Sequence, residues 1–151
     1  VINIVWKIKS FEELSTKELY EILKIRQEVF VVEQTCYYLD ADGYDTKAAH
    51  IWAEKGDQIL AYCRIFKPGI KYTEASIGRV LTNPSYRNLK LGKILIKIAI
   101  NTIEGKFRTH NIRISAQDYL LKFYSDFGFR VTENNYFEDD IPHTEMVKYS
   151  E

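Results

Sequence analysis

A chain of 151 residues, 46% hydrophobic and 28% charged, can bury one sizeable core. Its 21 basic and 21 acidic residues cancel to a formal net charge of zero, and the basic ones are dispersed, so there is no electrostatic footprint for nucleic acid or for an anionic membrane. No run approaches the roughly 18 apolar residues of a membrane span or reads as a secretory leader, and a single cytoplasmic domain over residues 1–151 is expected.

Residues 2–9 alternate and predict a first strand, with Ile4, Trp6 and Ile8 on one side. Ser15-Thr16-Lys17-Glu18 is a capping box, with Ser15 as N-cap and Glu18 three residues on. The helix it opens runs to about Val31. Leu19, Ile22, Leu23, Arg26 and Phe30 form its stripe, so one charged residue lies on the apolar face. Arg26 there reads as a buried structural partner for an acidic residue. Residues 33–46 have no period. Asp40, Asp42 and Asp45 mimic a calcium loop without its spacing or its closing Glu, and read as a solvated loop.

Two strands follow, 49–54 and 58–66, joined at Lys55-Gly56-Asp57 as a hairpin. A turn at Lys67-Pro68-Gly69 leads to a strand over 74–82, with Ile77 and Arg79 on one face and Gly78 and Val80 on the other. Pro84 ends it. A long apolar helix spans 89 to about 104, its face formed by Leu91, Leu95, Ile98, Ala99 and Thr102. A strand over 111–116, a short helix over 118–125 stopped by Gly128, and strands over 129–132 and 143–149 complete the chain. Only one strand–helix–strand unit recurs, so the order does not fit a doubly wound dinucleotide fold.

Neither cysteine matches a metal or redox spacing. Cys63 reads as a small buried hydrophobe and Cys36 as exposed, with a disulfide between them left open. His50 and His110 have no ligand spacing around them, so no metal is expected.

Residues 78–93 read as a strand end, a turn and a polar loop opening the long helix. A helix N-terminus offers unpaired N–H groups and a partial positive charge, a seat for a phosphate or pyrophosphate. Arg87 adds a charged fork, and Gly92 allows close approach of a ligand. A nucleoside-triphosphate loop does not fit, because Ile94 follows Gly92-Lys93 where a hydroxyl should hold magnesium.

With these residues in view, the chain resembles the GNAT superfamily of N-acetyltransferases and, within it, the bacterial ElaA-like group. Arg87-Asn88-Leu89-Lys90-Leu91-Gly92 is similar to the acyl-CoA loop Gln/Arg-x-x-Gly-x-Gly/Ala, with Lys90 in place of the first glycine. Ile25-Arg26-Gln27-Glu28-Val29-Phe30-Val31-Val32-Glu33-Gln34 looks like the group's first helix. Ser115-Ala116-Gln117 followed by Phe123-Tyr124-Ser125-Asp126-Phe127-Gly128-Phe129 is a third match. Tyr136-Phe137-Glu138-Asp139-Asp140-Ile141-Pro142-His143 with Met146 is a fourth. The resemblance implies an α/β (α+β) fold of the GNAT type, a mixed and mostly antiparallel sheet flanked by helices and splayed near its middle. It implies acetyl-CoA as co-substrate, no metal, and transfer to the amine of a small molecule or peptide. The fold kept without turnover, as an acyl-CoA-binding or interaction domain, is the alternative. Either a monomer or a homodimer is compatible.

On that resemblance Arg87, Asn88, Leu89, Lys90, Leu91, Gly92 and Lys93 form the pyrophosphate loop. Lys90 fits if its backbone stays helical, its side chain adding charge to the seat or pointing into solvent. Backbone groups of Val80 and Leu81 are expected to pair with the pantetheine arm and face the thioester carbonyl, which needs a donor as charge develops. Tyr124 is the proton donor for the departing thiolate, or a packed tyrosine with its hydroxyl on a partner. His143 is a base for the acceptor amine, or fixes the start of the last strand through a buried hydrogen bond. Glu33 orients a cationic amine or acts with His143.

Overall fold

The computed structural model describes residues 3–149. One mixed sheet runs through them. Its strands are β1 (Val5–Ser10), β2 (Ala49–Lys55), β3 (Gln58–Phe66), β4 (Ala75–Thr82), β5 (Ile112–Gln117), β6 (Arg130–Glu138) and β7 (Ile141–Lys148), in the spatial order β1-β2-β3-β4-β5-β7-β6. Every neighbouring pair is antiparallel except β4 and β5. The α-helices are α1 (Thr16–Arg26), α2 (Gly92–Phe107) and α3 (Leu121–Ser125). The mixed, mostly antiparallel sheet with flanking helices is the expected fold class.

Helix α1 begins as its capping box dictates. Ser15 Oγ accepts the Glu18 N–H at 3.0 Å, and Glu18 Oε1 accepts the Ser15 N–H at 2.8 Å. Glu18 also takes Lys9 at 2.9 Å and Lys7 at 3.3 Å, which ties the helix start to β1. Burial would raise the Glu18 carboxyl, but hydrogen bonds from the Ser15 N–H, Lys9 and Lys7 hold it at about 2. Beyond Arg26 the backbone widens into a π-helical stretch, Gln27–Glu33, which carries the helix slightly past its expected end.

The sheet is covered on both faces. Ile22, Ile25, Val29 and Phe30 pack with Trp52, Ile59, Tyr62 and Leu81 on one side. Leu95, Ile96, Ala99 and Ile103 of α2 pack with Ile51, Ala53, Cys63, Ile65 and Ile77 on the other. Each fully buried Ile, Leu, Val or Phe among them contributes about 1.5–3 kcal/mol. Strands covered on both faces read as unbroken apolar runs, as β2 and β3 do. The buried stripe of α2 is Leu95, Ile96, Ala99, Ile100 and Ile103, one step round from the expected face that held Ile98 and Thr102. A helix apolar nearly all round leaves that choice to its neighbours.

Other boundaries differ from expectation as well. Strand β6 runs through Glu138 rather than ending at 132, because an exposed edge strand interrupted by an irregularity between Val131 and Asn135 lacks clean alternation. Strand β7 starts at Ile141, with Pro142 at its end where only β6 pairs with it. Helix α2 starts at Gly92, because Pro84–Leu89 forms a separate 3₁₀ segment. Both cysteines are free and buried, Cys36 included; its thiol sits 3.7 Å from the Asp139 carbonyl oxygen.

Candidate active site

The parallel pairing of β4 and β5 lasts for two residues, Ala75 with Ile112 and Ser76 with Arg113. After that the strands part. A cavity of about 370 Å³ opens between them, lined on one side by Gly78 and Val80 and on the other by Ser115 and Ala116. Tyr124 and His143 line it as well, so the structure brings these two predicted residues to one space, together with Val80. Leu81 lies just beyond, its side chain buried on the α1 face.

Strand β4 is irregular at this gap. Tyr62 of β3 pairs with Leu81 and Arg64 with Gly78, so Arg79 and Val80 together oppose the single residue Cys63, a β-bulge. Arg79 has φ 49°, in the left-handed region. A side chain there costs about 1–2 kcal/mol. The simple alternation of faces predicted through Arg79 therefore breaks.

The expectation of a solvated acidic loop is overturned. Asp40 and Asp45 are buried, and Asp42 is largely covered. Arg26, wholly buried, bonds Asp40 at 2.8 Å and Asp45 at 2.6 Å, the structural pairing expected of it. Arg64 bonds Asp42 at 2.6 Å and Asp45 at 2.8 Å, and Arg79 forms an ion pair with Asp40, Nε to Oδ1 at 2.8 Å. Burial opposes ionisation of Asp45, but Arg26 and Arg64 hold its carboxyl below the usual range. His50 closes the cluster: its Nε2 donates to the Asp45 carbonyl oxygen at 3.0 Å, and its Nδ1 accepts the Tyr62 hydroxyl at 2.7 Å. Burial lowers its pKa, so the ring is neutral. Among the described residues no group of His, Cys, Asp and Glu is arranged to hold a metal.

Tyr124 is buried, its ring edge-on to Phe123 and Phe129. Burial pushes its phenol above the ordinary tyrosine range. His143 Nδ1 lies 2.8 Å from the Ile141 carbonyl oxygen, which only accepts, so Nδ1 carries the proton. In the neutral ring the lone pair is then on Nε2, with Glu138 Oε2 at 3.6 Å. Tyr136 stacks on this imidazole, with ring centroids 5.9 Å apart, and its hydroxyl bonds Ser115. Tyr136, Glu138 and Ser115 were visible in the matched motifs but had no assigned role. The hairpin of β6 and β7 brings Tyr136 and Glu138 to His143, and β5 brings Ser115 to Tyr136.

Glu33, expected with His143, instead closes its carboxylate on Arg87 as a bidentate pair at 2.7 and 2.9 Å. It does not line the cavity. Arg87 also reaches the Thr82 carbonyl oxygen at 3.3 Å, so its fork is engaged at the end of β4. The Glu33 bonds raise the already high Arg87 pKa.

The loop Arg87, Asn88, Leu89, Lys90, Leu91, Gly92, Lys93 forms a distinct corner. Lys90 is not helical in the right-handed sense: it has φ 54° and ψ 45°, and its N–H closes on the Arg87 carbonyl at 3.1 Å. The residue is exposed. The left-handed corner is the conformation that glycine adopts freely. Lys90→Gly is expected to raise stability by roughly 0.5–1 kcal/mol, partly offset by unfolded-chain entropy, and to raise the urea midpoint. A lower midpoint would show that the lysine packs more than it strains.

Leu91 caps α2 without a side-chain acceptor, so the first N–H groups of the helix remain open to a ligand. A Cβ on Gly92 would meet Phe123 at 3.7 Å and Thr82 at 3.9 Å, ordinary contacts. The helix start therefore adjoins the end of β4 and the helix bearing Tyr124. An unblocked helix N-terminus beside the open gap fits an anionic ligand with a long arm.

Residues 15–150 match the family of acetyltransferase (GNAT) domains. The protein ElaA of Escherichia coli is 37% identical over 96% of both chains, and a UPF0039 protein of Synechocystis is 37% identical over 97% of this chain and 96% of its own. Among solved structures, E. coli ElaA superposes with TM-score 0.90 at 36% identity, covering 97% of this chain and 99% of that one. An acyl-CoA N-acyltransferase from Pseudomonas aeruginosa superposes with TM-score 0.89 at 37% identity, over 95% of this chain and 99% of that one.

Proposed function

The chain belongs to the acetyltransferase (GNAT) domain family, and from that premise we propose that it transfers an acetyl group from acetyl-CoA to a primary amine within a ternary complex. The observation that carries this reading is the gap between β4 and β5, where an unpaired edge of β4 shares one cavity with Tyr124 and His143.

Acetyl-CoA, as co-substrate, supplies the acyl thioester. The N–H groups at the start of α2, around Gly92 and Lys93, would hold its pyrophosphate with Asn88, Leu89, Lys90 and Leu91 shaping the corner. The free edge of β4 at Val80 and Leu81 suits an added extended strand, because its backbone groups lack a partner once β5 has left. Tyr124 keeps its proton at neutral pH and donates it toward the cavity. His143, with Nδ1 committed to Ile141, offers Nε2 as proton acceptor for the amine.

Release of free thiol from acetyl-CoA, screened over polyamines, amino sugars and peptide N-termini, tests the reading. CoA binding in calorimetry with no release by any amine would instead mark a binding domain. Arg87 serves the pyrophosphate only by exchanging its Glu33 pair for it; on that reading Arg87→Ala is expected to weaken CoA by about tenfold or more and pantetheine far less, since a charge-assisted hydrogen bond is worth roughly 1.5–3 kcal/mol. Equal loss for both ligands would place Arg87 solely in its pair with Glu33.

A further inference from the structure

Strand β4 is irregular where the proposed chemistry needs backbone groups. A regular strand turns its N–H groups alternately to its two neighbours. One added residue reverses that phase beyond the bulge. Arg79 and Val80 are the two residues set against Cys63, and β5 has already left by this point. The bulge thus decides which groups of the following residues face the cavity and which face β3.

Arginine does not hold φ 49° by preference. Something must over-determine it, and the acidic loop does so. Arg79 Nε lies 2.8 Å from Asp40 Oδ1, and its Nη2 donates to the Asp40 carbonyl oxygen at 3.1 Å and to Asp42 at 3.3 Å. The Tyr38 ring stacks beneath the guanidinium, 5.5 Å from its carbon. Asp40 is anchored from the far side, where Arg26 donates to its carboxylate at 2.8 Å and to its carbonyl at 2.9 Å. A continuous chain of contacts therefore runs from the end of α1, through Asp40, to the bulge.

We propose that Asp40, acting through Arg79, is a positioning residue for acyl transfer: it holds β4 in the left-handed bulge that sets which backbone groups of Val80 and Leu81 face the gap between β4 and β5. The kinetic consequence rests on the acyltransfer reading above, whereas the conformational one stands by itself. Arg79 is the most exposed of the cluster's three arginines, with 21% of its side chain exposed. Its removal leaves Asp40 with Arg26 and Asp42 with Arg64.

Three variants test this. Arg79→Ala should lower kcat with acetyl-CoA roughly 10- to 100-fold, the size of effect that a misplaced reacting group produces. Its Kd for CoA by calorimetry should rise by a clearly smaller factor than kcat falls, because the helix N-terminus that seats the pyrophosphate lies outside the bulge and only the pairing at Val80 and Leu81 shifts. Arg79→Gly should recover most of that kcat, because glycine takes the left-handed turn without a side-chain hold. Asp40→Asn, which keeps the shape, should fall between the two. In amide NMR spectra of the free protein, the Val80 and Leu81 resonances should move in Arg79→Ala and return toward their native positions in Arg79→Gly. Equal losses in the alanine and glycine variants, with equally displaced amides, overturn the proposal and leave Arg79 as a member of the ion network only. Should the native protein release no CoA with any amine, the acyltransfer reading fails separately, and the two amide positions still decide for or against the clamp.

Discussion

Tyr124→Phe is expected to keep the affinity for acetyl-CoA and to lower turnover on the order of 10²-fold or more. The substitution removes one hydroxyl and keeps the ring. That ring is held edge-on by Phe123 at 5.1 Å and by Phe129 at 6.0 Å between centroids, so the packing survives. A lost hydroxyl of this kind changes stability by about 1 kcal/mol, which a thermal melt will show. Burial raises the phenol's pKa, so its proton is present through the whole neutral range and turnover shows no descending limb from Tyr124 below about pH 10. Single-turnover measurements are needed, because slow product release would hide a change in the chemical step. An unchanged single-turnover rate would make Tyr124 a packing residue of the α3 region.

Arg26→Met is expected to destabilise the fold by about 3–5 kcal/mol, because removing one partner leaves buried carboxylates under-compensated. For a chain of this size that is a fall in Tm of roughly 6–20 °C. Methionine preserves much of the volume, so the loss reports on charge more than on packing. Asp40 retains Arg79 and Asp45 retains Arg64, which favours the lower end of the range. The sign of the pH dependence follows from Asp45, whose folded pKa is depressed. Its contribution is complete above the unfolded value of about 3.9 and is lost as pH falls through the lower folded value. The native protein should therefore outlast the variant most clearly near neutrality, and the gap between them should narrow below about pH 4. A gap that stays constant from neutrality to pH 3 would mean that Arg26 acts through its contact with the Tyr62 ring, 5.9 Å away, rather than through charge.

Local signals carried much of the fold. The Ser15–Glu18 box, the Gly56 hairpin between β2 and β3, Pro84 after β4 and Gly128 after α3 each act within a few residues, and each works as its chemistry requires. Apolar runs placed the interior strands. Weak local signals misled in proportion. The polar edge strand β6 was cut short, and Lys90 hid a left-handed corner that a glycine would have announced.

For the candidate site, the residue types were legible and their partnerships were not. Tyr124, His143 and Val80 could be named from motifs, yet their meeting in one cavity depends on β4 and β5 parting after Ser76 and Arg113. Glu33 and Arg87 read from the sequence as opposite ends of the site, yet across 54 positions of chain they are bonded in space. The aspartates show the same limit most plainly. Three acidic residues in a loop without hydrophobic period are solvated by every local rule, and Arg26, Arg64 and Arg79 lie on three different elements. The sequence by itself determined most of the elements and the chemistry available, because capping, turns and apolar periodicity act over a few residues. Only the tertiary structure decided which charges are buried together, where β4 bulges and which carboxylate stands by His143, because ion pairs and strand register join residues whose separation along the chain carries no local signal.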